Sequence, residues 1–273
     1  MRENAVLSTC PSLRLLHMLL SGGGSAVEQR YYKFDHSSFA RQGIIILAAD
    51  KFPEARLLLP PPRGQGLGDA LAAGTAAADG KLGVFFHFHH PFKHRGFAGC
   101  RPSSAEVAAF QFSRARRFWK RGKKKAALYR LGLVLHLLQD ACVPQHAGLM
   151  GAFMPLGLDP YGHAAYEAWL REEERWRKFS VASGGEYTWQ GSHAHPKYGT
   201  HFTTSARVYD WIDDAAATSY RLLPRIDRSV NPHYRENWPE VARLLIPYTL
   251  RRTAGLIHRF FEAVADGTKS QKA

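Results

Sequence analysis

Histidine and acidic residues recur at short intervals between positions 136 and 167 of this 273-residue chain. His136 and Asp140 are four residues apart, and His163 and Glu167 repeat that spacing, so on an α-helix each pair projects from one face. His146 follows a proline at which the first of these helices should end. Neutral imidazole and carboxylate are suitable ligands for zinc, at roughly 2.0–2.2 Å. The spacing therefore predicts a zinc site built from two helices and the turn between them.

Each His/acid pair, taken alone, has a simpler interpretation as an ion pair on a solvated helix. The segment RLGLVLHLLQDACV around His136 and Asp140 is mostly apolar, so it cannot present an all-polar face to water. Because an unpaired buried charge is costly, a histidine and an aspartate inside a buried helix need partners. A metal ion would supply that partner, so the apolar surroundings favour a metal site.

The motif HLLQDACVPQH, followed by GHAAYE, resembles the zinc-dependent phospholipase C family and its relatives, the single-strand-specific zinc nucleases of fungi and plants. That family carries HxxxD, then PxH, then GHxxxE, and all three occur here in that order. Two upstream segments extend the resemblance: AADGKLGVFFHFHHP supplies Asp79 and His87, and DHSSFARQGIIIL supplies His36 at a helix start. The resemblance implies an all-α fold, a single-domain multi-helix bundle like that of the phospholipases and zinc nucleases.

The resemblance also implies that the protein binds up to three zinc ions, each held by its own set of ligands. The three implied sets are Asp79 with His87 and His136, His36 with Asp140 and the chain terminus, and His146 with His163 and Glu167. Asp140 would bridge the first two ions. Asp79 would also orient or deprotonate the attacking water, which makes it the expected catalytic residue.

Clustered zinc ions suit phosphodiester hydrolysis, because they acidify water and, at about 3.5–4 Å apart, clamp the attacking and leaving oxygens. The expected function is a zinc-dependent phosphodiester hydrolase of the phospholipase C type. A single-strand-preferring nuclease is one alternative, and a non-catalytic zinc-binding helical protein is another. The substrate stays open, because Gly80 and Val84 occupy positions where the bacterial phospholipases carry aromatic residues of the choline pocket, whereas Tyr161, Tyr166 or Phe153 could stack on bases.

Net charge indicates an anionic partner. The chain carries +14 and has a pI near 9.9, so its field would attract a phospholipid surface or a nucleic acid. Residues 114–125, RARRFWKRGKKK, concentrate positive charge around Phe118 and Trp119 and suit peripheral membrane contact, although a solvated helix end is the commoner meaning. The longest apolar run is far shorter than the roughly 20 residues of a transmembrane helix, so none is expected. The sequence does not indicate an oligomeric state.

Helical periodicity dominates the chain, and sustained strand alternation is absent. The expected helices are Ser37–Ala49, Leu67–Ala78, Ser104–Lys120, Lys124–Ala141, His163–Lys178, Thr203–Leu223 and Pro239–Val264. The region from Gly184 to Gly199 should be a long irregular connection with Trp189 as an anchor. With 45% hydrophobic residues and no flexible linker, residues 27–273 are expected to form one domain.

Residues 1–26 have the outline of a secretory signal, with an early charged residue, an apolar patch and a small-residue end, which implies a secreted or periplasmic protein. Because Arg14 and His17 interrupt the apolar patch, a disordered leader or a misassigned start is the alternative. In the family, a tryptophan exposed by cleavage completes one zinc site. Here no tryptophan precedes Trp119, and cleavage after Ala26 would expose Val27, nine residues before His36.

The segment HFHHP departs from the HFYDP of the relatives and adds His89 and His90 beside the expected site. These two histidines could be extra metal ligands, but histidines in a polar loop are more often solvated, so we expect both side chains to face water. His94, between Lys93 and Arg95, is expected to belong to a basic rim.

Overall fold

The structure is a computed structural model that describes residues 36–150, 159–188, 190–195, 199–204 and 207–269. Its α-helices are α1 His36–Ala49, α2 Ala55–Leu58, α3 Gly68–Leu82, α4 Ser104–Lys120, α5 Lys124–Ala141, α6 Pro144–Ala147, α7 His163–Arg171, α8 Val208–Tyr220, α9 Leu223–Ile226 and α10 Trp238–Lys269. Short 3-10 helices cover Val84–Phe86, Phe97–Gly99 and Glu172–Phe179. The predicted all-α multi-helix bundle is confirmed, and the described helices share one hydrophobic core.

One two-stranded antiparallel hairpin is added to the bundle by β1, Gln190–His195, and β2, Gly199–Thr204. The prediction of an irregular connection up to Gly199 was therefore wrong for Gln190–His195 and for Gly199, while Trp189 lies outside the described residues. The predicted helix starting at Thr203 was also wrong at its beginning, because Thr203 pairs with Gly191 in the hairpin and α8 begins at Val208. This hairpin has no apolar alternation, since it is rich in Gly, Ser, Thr and His, so the usual strand signal is missing.

Helix α5 lies at the centre of the bundle and packs against α3, α4, α8 and α10. Every residue from Leu131 to Ala141 is buried, because neighbours cover this half of the helix on all sides. A helix surrounded in this way is apolar around its whole circumference, which explains the run LGLVLHLL. The polar residues His136, Gln139 and Asp140 of this half can only face other buried polar groups.

Helices α3 and α5 approach each other closely at two glycines. A Cβ added at Gly74 would lie 2.1 Å from the carbonyl oxygen of Tyr129, and one added at Gly132 would lie 2.2 Å from that of Leu71. Real side chains do not tolerate such distances, so the crossing requires glycine at both positions. Further along α3, this crossing places Asp79 beside His136 of α5.

The basic segment of residues 114–125 forms the end of α4 and the turn into α5. Residues 120–125 are exposed, while Trp119 packs edge-on against Phe260 and Phe261 of α10. The segment is thus a solvated helix end in which Phe118 and Trp119 pack against the core. None of the helices in the described ranges combines the length and apolar character that a bilayer crossing requires.

Candidate metal centre

Six elements bring the eight predicted ligands together. Helix α5 contributes two, α7 two, and α1, α3, α6 and the loop after α3 one each. Within three groups, the candidate ligand atoms lie within 4.8 Å of one another. The groups are His36 with His136 and Asp140, Asp79 with His87 and His136, and His146 with His163 and Glu167. We call these eight residues the central cluster.

Asp140 lies in the middle of the central cluster, and its two oxygens face different neighbours. Its Oδ2 is 2.7 Å from His87 Nδ1 and 3.2 Å from His136 Nε2. Its Oδ1 is 3.4 Å from His36 Nε2 and 3.8 Å from His146 Nε2. Each oxygen of Asp140 thus faces a different pair of histidines, which is the geometry that a carboxylate bridging two metal ions would require.

Asp79 lies on the last turns of α3, beyond the predicted helix end at Ala78, because the helix continues to Leu82. Its Oδ1 is 3.5 Å from His136 Nε2 and 4.0 Å from His87 Nδ1. The side chain of Asp79 is 37% exposed, whereas that of Asp140 is 2% exposed. Asp79 therefore occupies the solvent-facing side of the cluster, where a substrate or water can reach it.

Three histidines are oriented by hydrogen bonds from the ring nitrogen that faces away from the cluster. His136 Nδ1 donates to the Thr75 carbonyl oxygen at 3.0 Å, and His146 Nδ1 donates to the His87 carbonyl oxygen at 3.1 Å. His36 Nδ1 donates to Gln139 Oε1 at 2.8 Å. Because carbonyl and amide oxygens only accept hydrogen bonds, the outer nitrogen of each ring carries the proton. In the neutral ring, each Nε2 then points a lone pair into the cluster, which is the arrangement of metal-binding histidines.

Burial and opposing charges give neighbouring histidines opposite protonation behaviour. Burial, followed by the charge of His136, lowers the pKa of His36 to about 4. Burial alone would lower the pKa of His136, but Asp140 and the hydrogen bonds to Asp140 and Asp79 raise it to about 10. Burial opposes ionisation of Asp140, yet the charges of His136 and His146 hold its pKa well below the usual value. The carboxylates thus stay charged, while the rings of His36 and His136, 3.9 Å apart between centroids, are not both positively charged.

The group formed by His146, His163 and Glu167 lies around the start of α7. His163 Nε2 is 3.0 Å from Glu167 Oε1, and His146 Nε2 is 3.3 Å from the same oxygen. Gly162 precedes the helix with φ +72°, a left-handed conformation that favours glycine, and a Cβ there would meet the Tyr234 ring at 2.9 Å. This backbone turn allows His163 to be the first residue of α7, so the glycine of the GHxxxE motif has a structural purpose.

The donor set of the central cluster fits zinc. It consists of five imidazoles and three carboxylates. The ionised carboxylates need positive charge beside them, and a bound cation would supply it in place of the protonated His136. Nitrogen and oxygen ligands in groups of three, with room for a further ligand, are typical of zinc sites that carry out hydrolysis. The assignment of these residues as ligands remains a prediction.

A fourth group of candidate ligands was not expected from the sequence. His89, His94 and Asp213 bring their ligand atoms within 4.8 Å of one another, and we call them the loop–helix cluster. The expectation that His89 and His90 face water was wrong, since the residues are 1% and 7% exposed. His94 was expected on a basic rim, but its Nδ1 lies 3.0 Å from Asp213 Oδ1. The sequence carried no signal, because Asp213 is more than a hundred residues from either histidine.

Comparison with known proteins supports the fold and the resemblance. A scan with protein-family models finds no match. A phospholipase C of Clostridium perfringens is 26% identical over 173 residues, which are 62% of this chain and 40% of that protein. A phospholipase C of Paraclostridium bifermentans is 27% identical over 157 residues, 56% of this chain and 36% of that protein. The matches thus span about two fifths of the length of these curated relatives.

Two solved structures share the fold. The α-toxin of a Clostridium perfringens avian strain aligns with a TM-score of 0.61 and 21% identity, covering 86% of this chain and 66% of the toxin. The α-toxin of Clostridium absonum aligns with a TM-score of 0.60 and 17% identity, covering 85% of this chain and 65% of the toxin. The resemblance to the phospholipase C family that the motifs indicated is therefore confirmed.

Proposed function

We propose that this chain, which resembles clostridial phospholipases C in sequence and fold, is a zinc-dependent phosphodiester hydrolase that cleaves phospholipids. One observation carries the proposal: three groups of imidazole and carboxylate side chains converge around Asp140 in a buried part of the bundle. The sequence relatives bear the name phospholipase C, which selects phospholipid among the phosphodiesters. Residues 27–273 would act as one domain, and the protein would be secreted or periplasmic, in keeping with the signal-like outline of residues 1–26.

The central cluster would hold up to three zinc ions, one in each of its groups. Zinc in such groups polarises phosphoryl oxygens and lowers the pKa of water, as phosphodiester hydrolysis requires. Asp140 would bridge two ions, since its two oxygens face different histidines. The outer hydrogen bonds of His36, His136 and His146 keep each ring in the orientation for binding.

Asp79 is the residue that we assign to water activation. Its carboxylate is the most exposed in the central cluster, and its Oδ1 lies 3.5 Å from His136 Nε2. Burial opposes its ionisation, but the hydrogen bond to His136 and the charges of nearby histidines keep its pKa lowered. An ionised Asp79 can accept a proton from the water that attacks phosphorus. The water oxygen forms a new P–O bond, the bond from phosphorus to the glycerol oxygen breaks, and that oxygen leaves with a proton as diacylglycerol.

The substrate would be met at a lipid surface. The exposed end of the basic segment, residues 120–125, offers positive charge for peripheral contact with phosphate groups. Phe92 is 68% exposed and belongs to the same loop as His87, so this loop offers one apolar side chain to a surface. Neither feature spans the bilayer, and both would act by contact with its surface.

The decisive experiment compares substrates with the full-length, zinc-loaded protein. Phosphatidylcholine vesicles should release a phosphorylated head group and diacylglycerol, and addition of a chelator should abolish the release. If the protein hydrolysed single-stranded DNA but not phosphatidylcholine, the proposal would be wrong and the protein would be a nuclease. Zinc binding without turnover of either substrate, or of bis(p-nitrophenyl) phosphate, would leave a non-catalytic zinc-binding protein.

Matched variants test the residue assignment. His136→Ala and His146→Ala should each lose zinc and hydrolysis together, because both rings face Asp140. His233→Ala is the control, since His233 is exposed and pairs with Glu236 on the surface. Full zinc content and full hydrolysis in either of the first two variants would contradict the assignment.

A further inference from the structure

The loop–helix cluster lies outside the groups assigned to hydrolysis and joins two separate parts of the fold. His89 and His94 belong to the loop between α3 and α4, and Asp213 lies on α8. His89 Nε2 is 2.5 Å from Asp213 Oδ1, and His94 Nδ1 is 3.0 Å from the same oxygen. The residues His89 and Asp213 are each 1% exposed, and the His94 side chain is 15% exposed. Two imidazoles and one carboxylate thus converge at a largely buried point.

His89 is oriented by a partner on the far side of its ring. Its Nδ1 lies 2.9 Å from Ser103 Oγ, and Ser103 is itself fixed as the N-cap of α4 by a capping box with Glu106. The Tyr209 ring packs edge-on against His89 with centroids 5.5 Å apart. A ring held in this way presents Nε2 to Asp213 with little rotational freedom, as the outer hydrogen bonds do for the histidines of the central cluster.

The loop is shaped so that His94 returns toward His89. The backbone N–H of His94 donates to the His90 carbonyl oxygen at 2.8 Å, and that of His90 donates to the Arg95 carbonyl oxygen at 2.8 Å. His94 has φ +49°, in the left-handed region that non-glycine residues seldom adopt. A strained residue in a tight loop indicates a position that the surrounding structure holds for a reason, and here the position aims an imidazole at Asp213.

We propose that His89, His94 and Asp213 bind a further divalent cation of the zinc type, which serves to fasten the loop to helix α8. Two nitrogens and one oxygen are a common protein contribution to a tetrahedral zinc site. Bonds of roughly 2.0–2.2 Å place tetrahedral ligand atoms roughly 3.3 Å apart, so the Asp213 oxygen needs to move by less than about 1 Å from His89. A separation of this size also occurs in the central cluster, where Asp140 Oδ2 lies 2.7 Å from His87 Nδ1.

The position of the cation gives it a structural role. His89 is two residues from His87 of the central cluster, and α8 packs against α6, which carries His146. Fastening the loop to α8 therefore fixes the distance between two predicted ligands of different ions. Removal of this cation would loosen the backbone at His87 without removing any ligand of the central cluster.

Metal content tests the proposal in the full-length protein. Protein stripped of metal, incubated with zinc chloride and dialysed should bind one zinc ion fewer as Asp213→Asn than as the unaltered chain. Asparagine keeps the size of the side chain and an oxygen that accepts from His89, so a purely hydrogen-bonded trio would survive the change. The surface variant His233→Ala should bind the full number. Equal zinc content in Asp213→Asn and the unaltered chain would overturn the proposal.

A cobalt(II) titration provides a second readout that does not depend on hydrolysis. In the double variant His136→Ala/His146→Ala, which disrupts the central cluster, the visible absorption of four-coordinate cobalt should remain, at one equivalent. Adding His94→Ala, a change at the most exposed of the three residues, should remove that absorption. Absence of the band in the double variant, or its persistence after His94→Ala, would overturn the proposal, whichever substrate the protein cleaves.

Discussion

The central cluster and the loop–helix cluster consist of the same types of side chain, imidazoles and carboxylates, but different elements of the fold supply them. In the central cluster, two pairs of ligands lie four residues apart on helices, and α5 alone contributes His136 and Asp140. In the loop–helix cluster, only a loop and a distant helix meet, and a serine hydroxyl replaces the carbonyl and amide oxygens as the outer partner of the histidine. The difference teaches that spacing reveals a site only where one helix supplies two of its ligands.

The largest expected effect comes from comparing one type of substitution, aspartate to asparagine, in the two clusters. Asp140→Asn should reduce phosphodiester hydrolysis about a thousandfold, because it removes the negative charge that two zinc ions would share. Such ions stabilise the transition state by several kcal/mol, so weaker binding of both should be costly. Asp213→Asn should reduce hydrolysis less than about tenfold, since it touches no predicted ligand of the central cluster. Rates with bis(p-nitrophenyl) phosphate at saturating zinc measure both. Equal losses would mean that the two clusters act as one.

The second expected effect depends on helix spacing. Gly132→Ala should lower the free energy of unfolding by about 1–3 kcal/mol, because its Cβ would overlap the Leu71 carbonyl oxygen and force α3 and α5 apart. The same change should weaken zinc binding at the central cluster and leave the loop–helix cluster intact. Urea unfolding and zinc titration of the metal-free protein provide the two measurements.

The control for this prediction is another helical glycine. Gly80→Ala in α3 meets nothing within 4 Å, so it should be neutral or stabilise by up to about 1 kcal/mol through helix propensity. If Gly80→Ala and Gly132→Ala had the same effect, helix spacing would not be the cause.

A smaller effect compares the outer partners of the two clusters. Gln139→Leu removes the acceptor for His36 Nδ1–H, and Ser103→Ala removes the hydroxyl beside His89 Nδ1. Each substitution should lower the affinity for one zinc ion by about 10–100-fold, and only in the cluster to which the substituted residue belongs. Competitive titration against a zinc-binding dye would resolve the affected ion. Loss at both clusters from either variant would argue against independent sites.

The smallest expected effect comes from a surface substitution outside both clusters, which shows how much stability and zinc content vary without a change at a predicted ligand. Arg225 and Glu240 form an ion pair on the surface, with both side chains more than two fifths exposed. Arg225→Ala should change the free energy of unfolding by less than about 1 kcal/mol, because exposed pairs contribute little. It should leave zinc content unchanged. A loss of zinc in this variant would show that metal binding responds to any surface change.

The sequence predicted those parts of the molecule that depend on local patterns. Helices Ser104–Lys120 and Lys124–Ala141 have the predicted bounds, because a capping box opens the first and an apolar run fills the second. The predicted helix His163–Lys178 continues beyond Arg171 only as a 3-10 helix, through a segment rich in like charges. Long-range features were missed, since burial of His89 depends on α8, which lies far along the chain.

The candidate site was predicted to a similar extent. All eight predicted ligands meet in the fold, but which oxygen of Asp140 faces which ring could only be seen in the structure. The leader of residues 1–26 and the expected terminal ligand lie outside the described residues. The outer hydrogen bonds could not be predicted either, because backbone carbonyl oxygens such as that of Thr75 leave no mark in a sequence.

The contact between Gly74 and Gly132 has a consequence for evolution and for protein engineering. The two positions bear no functional group, yet they determine how near Asp79 can come to His136. A single methyl group added there would weaken zinc binding although it touches none of the predicted ligands. A search for chemical side chains alone would pass over both glycines, and transplanting the eight ligands to another bundle would fail unless this bare stretch of backbone were transplanted with them.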